Sequence, residues 1–308
     1  MARPRILITG GSGLLALNWA CAMRDRYDIV LGTHRRRVSL EGAVAIPLPL
    51  DQPDALARGL DRYQPEVIVH TAGITSVEQC EREPDLAHHV YVDLSRNIAL
   101  AAANSGARLV HISTDHLFSG TRALYTEADL PEPANVYGRT KHLAEAAVAR
   151  ACPQALIVRT NFFGWGHRFR QSFSDWVYYS LLAGQEITMF DDVFVTPILA
   201  DPLAVSTHRL LDRGARGIYN IAGDERISKY DFGVRLAGAF GLPERGLRRG
   251  KISASPLSVR RPADMSLDNA KARALLGSSL GTVADYFSAL RQQDRAGRRD
   301  ELLAAVTE

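Results

Sequence analysis

Cysteine is scarce in this chain, and the few copies present sit in the wrong places for two classes of function. Cys21, Cys80 and Cys152 are an odd number with no metal-ligand spacing among 308 residues. That argues against a disulfide scaffold and a zinc site, and for free thiols in a reducing compartment. The expected location is cytoplasmic. Long hydrophobic runs are missing too, so no segment reads as a membrane span. The N-terminus lacks the charged-then-apolar layout of a secretory signal, because a glycine turn follows after one short strand. An excess of one charge is also absent: 37 basic and 34 acidic residues leave a net +3. The basic residues gather only in short runs such as Arg35-Arg36-Arg37 and Arg298-Arg299. Neither a nucleic acid nor a membrane is therefore expected as a partner. Internal repeats and low-complexity segments are lacking as well.

What is present is ordinary globular composition, 46% hydrophobic and 23% charged, enough for one large domain or two modest ones. Short apolar runs alternate with helix-compatible stretches through the first half. Strands are expected at Arg5–Thr9, Tyr27–Gly32, Val67–His70, Arg108–Ser113 and Ala155–Arg159, and helices at Leu14–Met23, Asp54–Tyr63, Pro84–Ala103 and Arg139–Ala151. Alternation of this kind builds βαβ units and a parallel sheet covered on both faces. Past Arg159 the texture changes to aromatic clusters, Phe162-Phe163-Gly164-Trp165 and Phe173 to Tyr179, with one more strand at Ile218–Ala222 and a helix at Tyr230–Phe240. The aromatic group reads either as core of a second lobe or as a base-stacking platform. After Arg291 the tail is polar enough to fray or to form a surface helix.

The first strand runs into Thr9-Gly10-Gly11-Ser12-Gly13-Leu14-Leu15-Ala16. Gly10, Gly13 and Ala16 stand at Gly-x-x-Gly-x-x-Ala spacing between a strand and a helix. Glycine permits the tight turn and close backbone approach, a small third residue permits tight helix–strand packing, and the helix N-terminus offers free N–H groups and a positive dipole to a pyrophosphate. The expected fold is thus α/β, a Rossmann-type doubly wound parallel sheet with a smaller C-terminal substrate-binding lobe. Residues 1–159, with the strand 218–222, would form the dinucleotide-binding part, and 160–308 mainly the substrate lobe.

Cofactor choice is set at the end of the second strand, where a carboxylate about twenty residues past the loop would bind the ribose hydroxyls of NAD. A carboxylate is missing there. Gly32-Thr33-His34-Arg35-Arg36-Arg37 supplies guanidinium groups instead, which fork onto phosphate and stack on adenine, so NADPH is expected over NADH. Asp51 ends the next apolar run, and either accepts from the adenine amino group or caps the following helix.

Ser113-Thr114-Asp115 ends a later strand, and Tyr137-Gly138-Arg139-Thr140-Lys141 follows it. Hydride delivery to a ketone requires a proton donor at the carbonyl oxygen, and a tyrosine serves if its pKa, about 10 when unperturbed, is drawn down. Lys141, one helical turn on, would supply that positive charge and reach the nicotinamide ribose. Thr114 would hydrogen-bond the carbonyl beside the phenol. From the residues alone, the reading is a carbonyl reductase.

These stretches carry a resemblance. With Val67–Gly73, His111–Gly120, the block from Tyr125-Thr126-Glu127 through Pro133-Ala134-Asn135-Val136-Tyr137-Gly138 to Lys141 and Glu145, and Arg261-Pro262, the chain resembles the extended short-chain dehydrogenases/reductases, in the branch of the dTDP-4-dehydrorhamnose reductases. The resemblance runs over nearly the whole length, tighter in the first half. It implies a Thr114, Tyr137, Lys141 triad and cofactor contacts at Gly10, Ser12, Gly13, Leu14, Thr71, Ala72 and Gly73. It places Asp115, His116 and Phe162 near a sugar, and gives Arg261 either a substrate diphosphate or a structural ion pair. The implied activity is NADPH-dependent reduction of a nucleotide-activated 4-keto-6-deoxy sugar. Two alternatives are an epimerase or dehydratase of the same superfamily, and a non-catalytic NADP-binding regulatory subunit. Some relatives are associated with magnesium, but no ligands for Mg2+ are assignable in this sequence, and a homodimer stays open.

The chain departs from the rhamnose pattern at His116 and Ser119, at Tyr91, where an asparagine is usual, and at Ile198 after Pro197. These differences fall on the substrate side. His70 and His111, each on an apolar strand, are expected to be satisfied core histidines, and Asp191-Asp192 a solvated turn.

Overall fold

A computed structural model describes residues 3–255 and 257–308. Seven parallel strands form its central sheet: β1 (Arg5–Thr9), β2 (Asp28–Thr33), β3 (Ala43–Pro47), β4 (Val67–His70), β5 (Arg108–Ile112), β6 (Leu156–Arg159) and β7 (Gly217–Asn220). Their spatial order is β7-β6-β5-β4-β1-β2-β3. Ile6, Leu7 and Ile8 are all buried, as a strand covered on both faces requires. The chain reverses direction across the sheet between β1 and β4, which opens a crevice at their carboxyl ends. The candidate site residues of the first half follow the ends of these strands, except Tyr137 and Lys141, which stand on a helix.

Helices α1 (Leu14–Met23) and α2 (Pro53–Tyr63) fall where the apolar spacing places them. The long helix expected from Pro84 is divided. A short α3 (Val77–Arg82), capped by Ser76, precedes α4 (Pro84–His88); a π-helical turn, His89–Asp93, then joins α4 to α5 (Leu94–Ser105). Such wider turns recur at functional sites, and this one holds Tyr91 buried with its ring 5.7 Å from that of Tyr137. Helix α6 (Val136–Ala151) starts before the expected Arg139, because the Asn135 side chain accepts from the Gly138 N–H and closes a turn that contains Tyr137.

In the second half, α7 (Phe173–Leu182), α8 (Ala200–Asp212) and α9 (Lys229–Phe240) pack around aromatic side chains. Phe163 meets Phe232 edge-on at 5.1 Å, and Trp165 meets Tyr178 at 5.4 Å. Of the two readings for this aromatic group, these contacts are those of core.

The tail differs from expectation. After α10 (Ala270–Leu276) and α11 (Val283–Arg295), a short α12 (Arg298–Ala304) buries Leu302, and Val306–Thr307 pairs antiparallel with Arg37–Val38. Leu302, Ala305 and Val306 are the apolar residues that convert a polar-looking tail into a docked one. Their destination, the arginine run after β2, lies some 270 residues away in sequence.

Candidate active site

The turn after β1 fits a dinucleotide. Gly10 has φ +67°, and a Cβ there would come within 2.8 Å of the Ala72 backbone. The Thr71 hydroxyl donates to the Thr9 carbonyl at 2.7 Å, so Thr71, Ala72 and Gly73 at the end of β4 are held against the glycine turn. Gly13 opens α1 with no side-chain cap and no acid in the first turn, which leaves the helix N-terminus to an external anion. Ser12 and Leu14 flank Gly13 in this cradle. His34, Arg35 and Arg36 are exposed at the end of β2. Asp51 is exposed but caps nothing: the N-cap of α2 is Gln52, without a side-chain bond. The capping alternative is therefore corrected.

At the carboxyl end of β5, Thr114 is buried; its hydroxyl donates to Asp115 Oδ1 and accepts from the His116 N–H, each at 3.2 Å. The same hydroxyl bears on the Tyr137 phenol. Burial pushes that phenol up to about 12, partly offset by the Thr114 hydroxyl and by Arg170. The sequence led us to expect the opposite direction, with Lys141 as its cause. In the structure the Lys141 ammonium donates to the Ile112 carbonyl at 2.6 Å and lies 5.0 Å over the Tyr91 ring. Burial lowers its pKa to about 8, against the pull of Glu145. The cation that acts on Tyr137 comes from the second half of the chain.

The surroundings of Thr114 and Tyr137 are polar and enclosed. Asp115 accepts from Asn161 Nδ2 at 2.5 Å, and burial pushes its carboxyl up to about 6. His116 stands edge-on to Tyr137 at 5.4 Å; burial, with Lys229 and Arg261 adding to it, pushes its imidazole down to about 3, so it is neutral. Phe162 is half-buried in a two-residue strand paired with Ile198–Leu199. Arg261 is ion-paired with Glu78, yet its buried Nη1 has no partner; the structural pair exists and leaves a donor to spare.

Sequence reasoning missed Asn161, Arg170 and Lys229. One signal was available for Lys229: it is the first residue of α9, where the helix dipole disfavours a cation. The two strand histidines part ways. His70 is satisfied by the hydroxyls of Thr9 (2.7 Å) and Ser95 (3.0 Å), whereas His111 stacks on His70 at 5.5 Å with neither ring nitrogen partnered. The expectation for His111 is corrected: its neighbour His70 has both ring nitrogens engaged by Thr9 and Ser95, and burial holds His111 neutral. Asp191 pairs with Lys251 at 2.8 Å, and Asp192 accepts from the Ile252 N–H at 2.9 Å, as a turn would. Among the described residues, no group of three or more His, Cys, Asp or Glu is placed to hold a metal.

Comparison with known proteins gives the same outline. The family model described as RmlD substrate binding domain matches residues 4–291. A probable low-salt glycan biosynthesis reductase, Agl14, of Haloferax volcanii is 28% identical over 92% of this chain and 96% of its own. Methionine adenosyltransferase 2 subunit beta of Bos taurus is 31% identical, over 86% of this chain and 80% of its own. Among solved structures, a hypothetical dTDP-4-dehydrorhamnose reductase from Sulfolobus tokodaii has a TM-score of 0.78 at 30% identity, covering 90% of this chain and 97% of that one. The dTDP-4-dehydrorhamnose reductase of Bacillus anthracis in complex with NADP has a TM-score of 0.84 at 22% identity, covering 94% and 99%; at that identity the likeness is one of fold.

Proposed function

The chain belongs to the RmlD substrate binding domain family, and on that premise we propose that it is an NADPH-dependent reductase of a nucleotide-activated 4-keto-6-deoxy sugar. The observation that carries the reading is the uncapped glycine turn after β1, with Thr114 buried at the carboxyl edge of the same sheet and its hydroxyl lowering the pKa of the Tyr137 phenol. Bound NADPH would supply the hydride. Thr114 and Tyr137 hold the carbonyl oxygen, and Tyr137 gives it the phenolic proton as alkoxide character develops. A phenol raised to about 12 is fully protonated at neutral pH, the state an acid must start from. Gly10, Ser12, Gly13 and Leu14 cradle the pyrophosphate, Arg35 and Arg36 take the 2′-phosphate, and Asp51 and Thr71–Gly73 line the adenosine and ribose side. Asp115, His116, Phe162 and Arg261 face the sugar diphosphate. In this reading residues 1–159 with β7 hold the cofactor and the rest mainly the substrate, and the three buried, unbridged cysteines suit a cytoplasmic setting.

The test is to follow NADPH consumption at 340 nm with purified protein and a panel of dTDP-, GDP-, UDP- and CDP-linked 4-keto sugars. Turnover of one of them is the expected result; binding of NADPH with no turnover of any would sink the reading. A specific observation favours a second one, a non-catalytic NADP-binding subunit. Lys141 is engaged by the Ile112 carbonyl rather than by Tyr137, and subunit beta of methionine adenosyltransferase 2 is among the relatives. Dehydratase chemistry has less support, since His116, held neutral, stands where a second carboxylate would be needed.

A further inference from the structure

The arginine run after β2 is exposed, and an exposed guanidinium is a poor recognition element unless something fixes its plane. Here something does. The Arg36 guanidinium lies 4.9 Å from the centroid of the Phe169 ring, a residue of the second half of the chain. Phe169 is itself held in a tight turn. His167 and Arg170 exchange backbone hydrogen bonds of 2.9 Å in both directions, and the Phe169 N–H donates to His167 Nδ1 at 3.3 Å. The turn is anchored at both ends. Asp175 Oδ2 accepts from the backbone N–H groups of Gly166 and Ser172, both at 2.8 Å, and Arg170 Nη2 donates to the Thr75 carbonyl at 3.2 Å beyond β4. Gly166 has to be glycine, since a Cβ would lie 2.2 Å from the Arg170 carbonyl oxygen.

The arginine run is braced from its other end as well. Val38 pairs with Val306, and the Ser39 N–H donates to the Ala305 carbonyl at 2.9 Å. The loop from Arg35 to Val38 is therefore pinned by the docked tail on one side and by Phe169 on the other. The central carbon of the Arg36 guanidinium lies over an aromatic ring. A planar guanidinium so held is pre-organised to fork onto a phosphate, and its free face suits an adenine ring.

We propose that Phe169 is a positioning residue for Arg36, so that selectivity for the 2′-phosphorylated cofactor is set partly by the C-terminal half of the chain. The proposal rests on the NADPH reading above. Phe169 touches no reacting atom in it and acts only by fixing the plane of Arg36.

The test is direct binding of NADPH and NADH, each titrated by quenching of intrinsic fluorescence, to the full chain and to Arg36→Ala, Phe169→Ala, Phe169→Tyr and the Arg36→Ala/Phe169→Ala double variant. Phe169→Ala is expected to raise the NADPH Kd about two- to fivefold, equivalent to about 0.5–1 kcal/mol at 1.4 kcal/mol per tenfold, and to leave the NADH Kd unchanged. Phe169→Tyr, which keeps the π-face, should bind as the parent does. In the Arg36→Ala background the loss of the ring should have no further effect. A Phe169→Ala protein that weakens both nucleotides equally, or neither, overturns the inference while leaving the cofactor reading intact, provided that Arg36→Ala itself weakens NADPH. If Arg36→Ala leaves NADPH binding unchanged, the 2′-phosphate assignment fails and this inference with it. Melting temperatures of all variants, with Phe169→Tyr as the conservative control, separate a misfolded turn from a lost contact.

Discussion

Replacing Asp115 by asparagine should make the protein more stable and less active, with a stability gain that depends on pH in a direction unusual for a carboxylate. Asp115 is 2% exposed, and burial lifts its pKa from 3.8 to about 6 in spite of the bonds from Asn161 and Thr114. Because the folded value lies above the unfolded one, the fold binds this proton more tightly than the unfolded chain does. The carboxyl's contribution is intact below about pH 4 and is lost as pH rises through about 6. A shift of about 2 units at 1.36 kcal/mol each amounts to about 3 kcal/mol of instability at pH 7.5 that Asp115→Asn relieves. Asparagine keeps the volume and can still accept from Asn161. With an unfolding entropy of about 2.1 cal/mol/K per residue, 3 kcal/mol corresponds to a rise of about 5 °C in Tm. The assay is thermal unfolding of the parent and Asp115→Asn at pH 3.5 and at pH 7.5, each reported as a difference between the two proteins, so that other titrating groups cancel. Convergence of the melting temperatures at pH 3.5, with the variant ahead at pH 7.5, is the expected result. A variant less stable at pH 7.5, or an equal gap at both pH values, would refute the claim that this carboxyl sits buried and strained toward its neutral form. Activity lost together with that gain in stability would mark Asp115 as a residue kept for the site.

Tyr137→Phe is expected to cut turnover by about 10²–10⁴-fold with NADPH affinity nearly unchanged, measured by steady-state kinetics and by direct titration; undiminished turnover removes the phenol from the acid role. Gly10→Ala should abolish nucleotide binding, since the new methyl would meet the Ala72 backbone at 2.8 Å and the residue would be forced to hold φ +67°; normal binding by calorimetry contradicts the cradle. Glu145 and Arg159 form a buried bidentate pair at 2.8 and 3.0 Å behind Lys141. Glu145→Ala should cost about 3–5 kcal/mol by urea unfolding, because it strands a buried guanidinium. A cost below about 1 kcal/mol would show that water or another group replaces the carboxylate.

How much of this was readable in the sequence depended on how local the cause was. Five of the six first-half strands, the glycine turn and the strand-terminal Thr114 follow from runs of four to nine residues, whose periodicity and turn chemistry act within the run; the edge strand β3 (Ala43–Pro47), half exposed, was missed. The division of the helix after Pro84 was not readable that way. Its apolar pattern is continuous, and the π-helical turn at His89–Asp93 accompanies Tyr91 packed against Tyr137, a partner from another helix. The tail misled for the same reason. Leu302-Leu303-Ala304-Ala305-Val306 is a short apolar run at the end of a polar stretch, and nothing within it says that its partner is the arginine run after β2. In the site itself, residue types were legible but directions were not: Tyr-x-x-x-Lys spacing fixes which helical face Lys141 occupies, and says nothing of the Ile112 carbonyl that its ammonium reaches.

That carbonyl changes the electrostatic argument for the proposed reduction. With the Lys141 ammonium bonded to the Ile112 carbonyl, further positive charge is needed to answer a forming phenolate. The second half of the chain supplies it. The Arg170 charge lowers the Tyr137 pKa, and Arg261, whose own pKa a charged Tyr137 would raise, keeps a buried Nη1 unpartnered. Guanidiniums in place before proton transfer stabilise the phenolate that the transfer creates, and they do so without reorganising, which is where electrostatic catalysis gains most. They act less on the neutral phenol of the ground state, so their contribution falls on the transition state rather than on binding. On this view Thr114 and Tyr137 define the reaction, while the groups that tune the acid arrive from beyond Arg159, in the same stretch that holds the substrate. A chain that kept Thr114, Tyr137 and Lys141 but lost Arg170 and Arg261 would still look like a reductase in sequence and would be a poor one. Under the proposed reduction, Arg170→Ala and Arg261→Ala should therefore each lower kcat, and unchanged turnover in both would remove the arginines from this role.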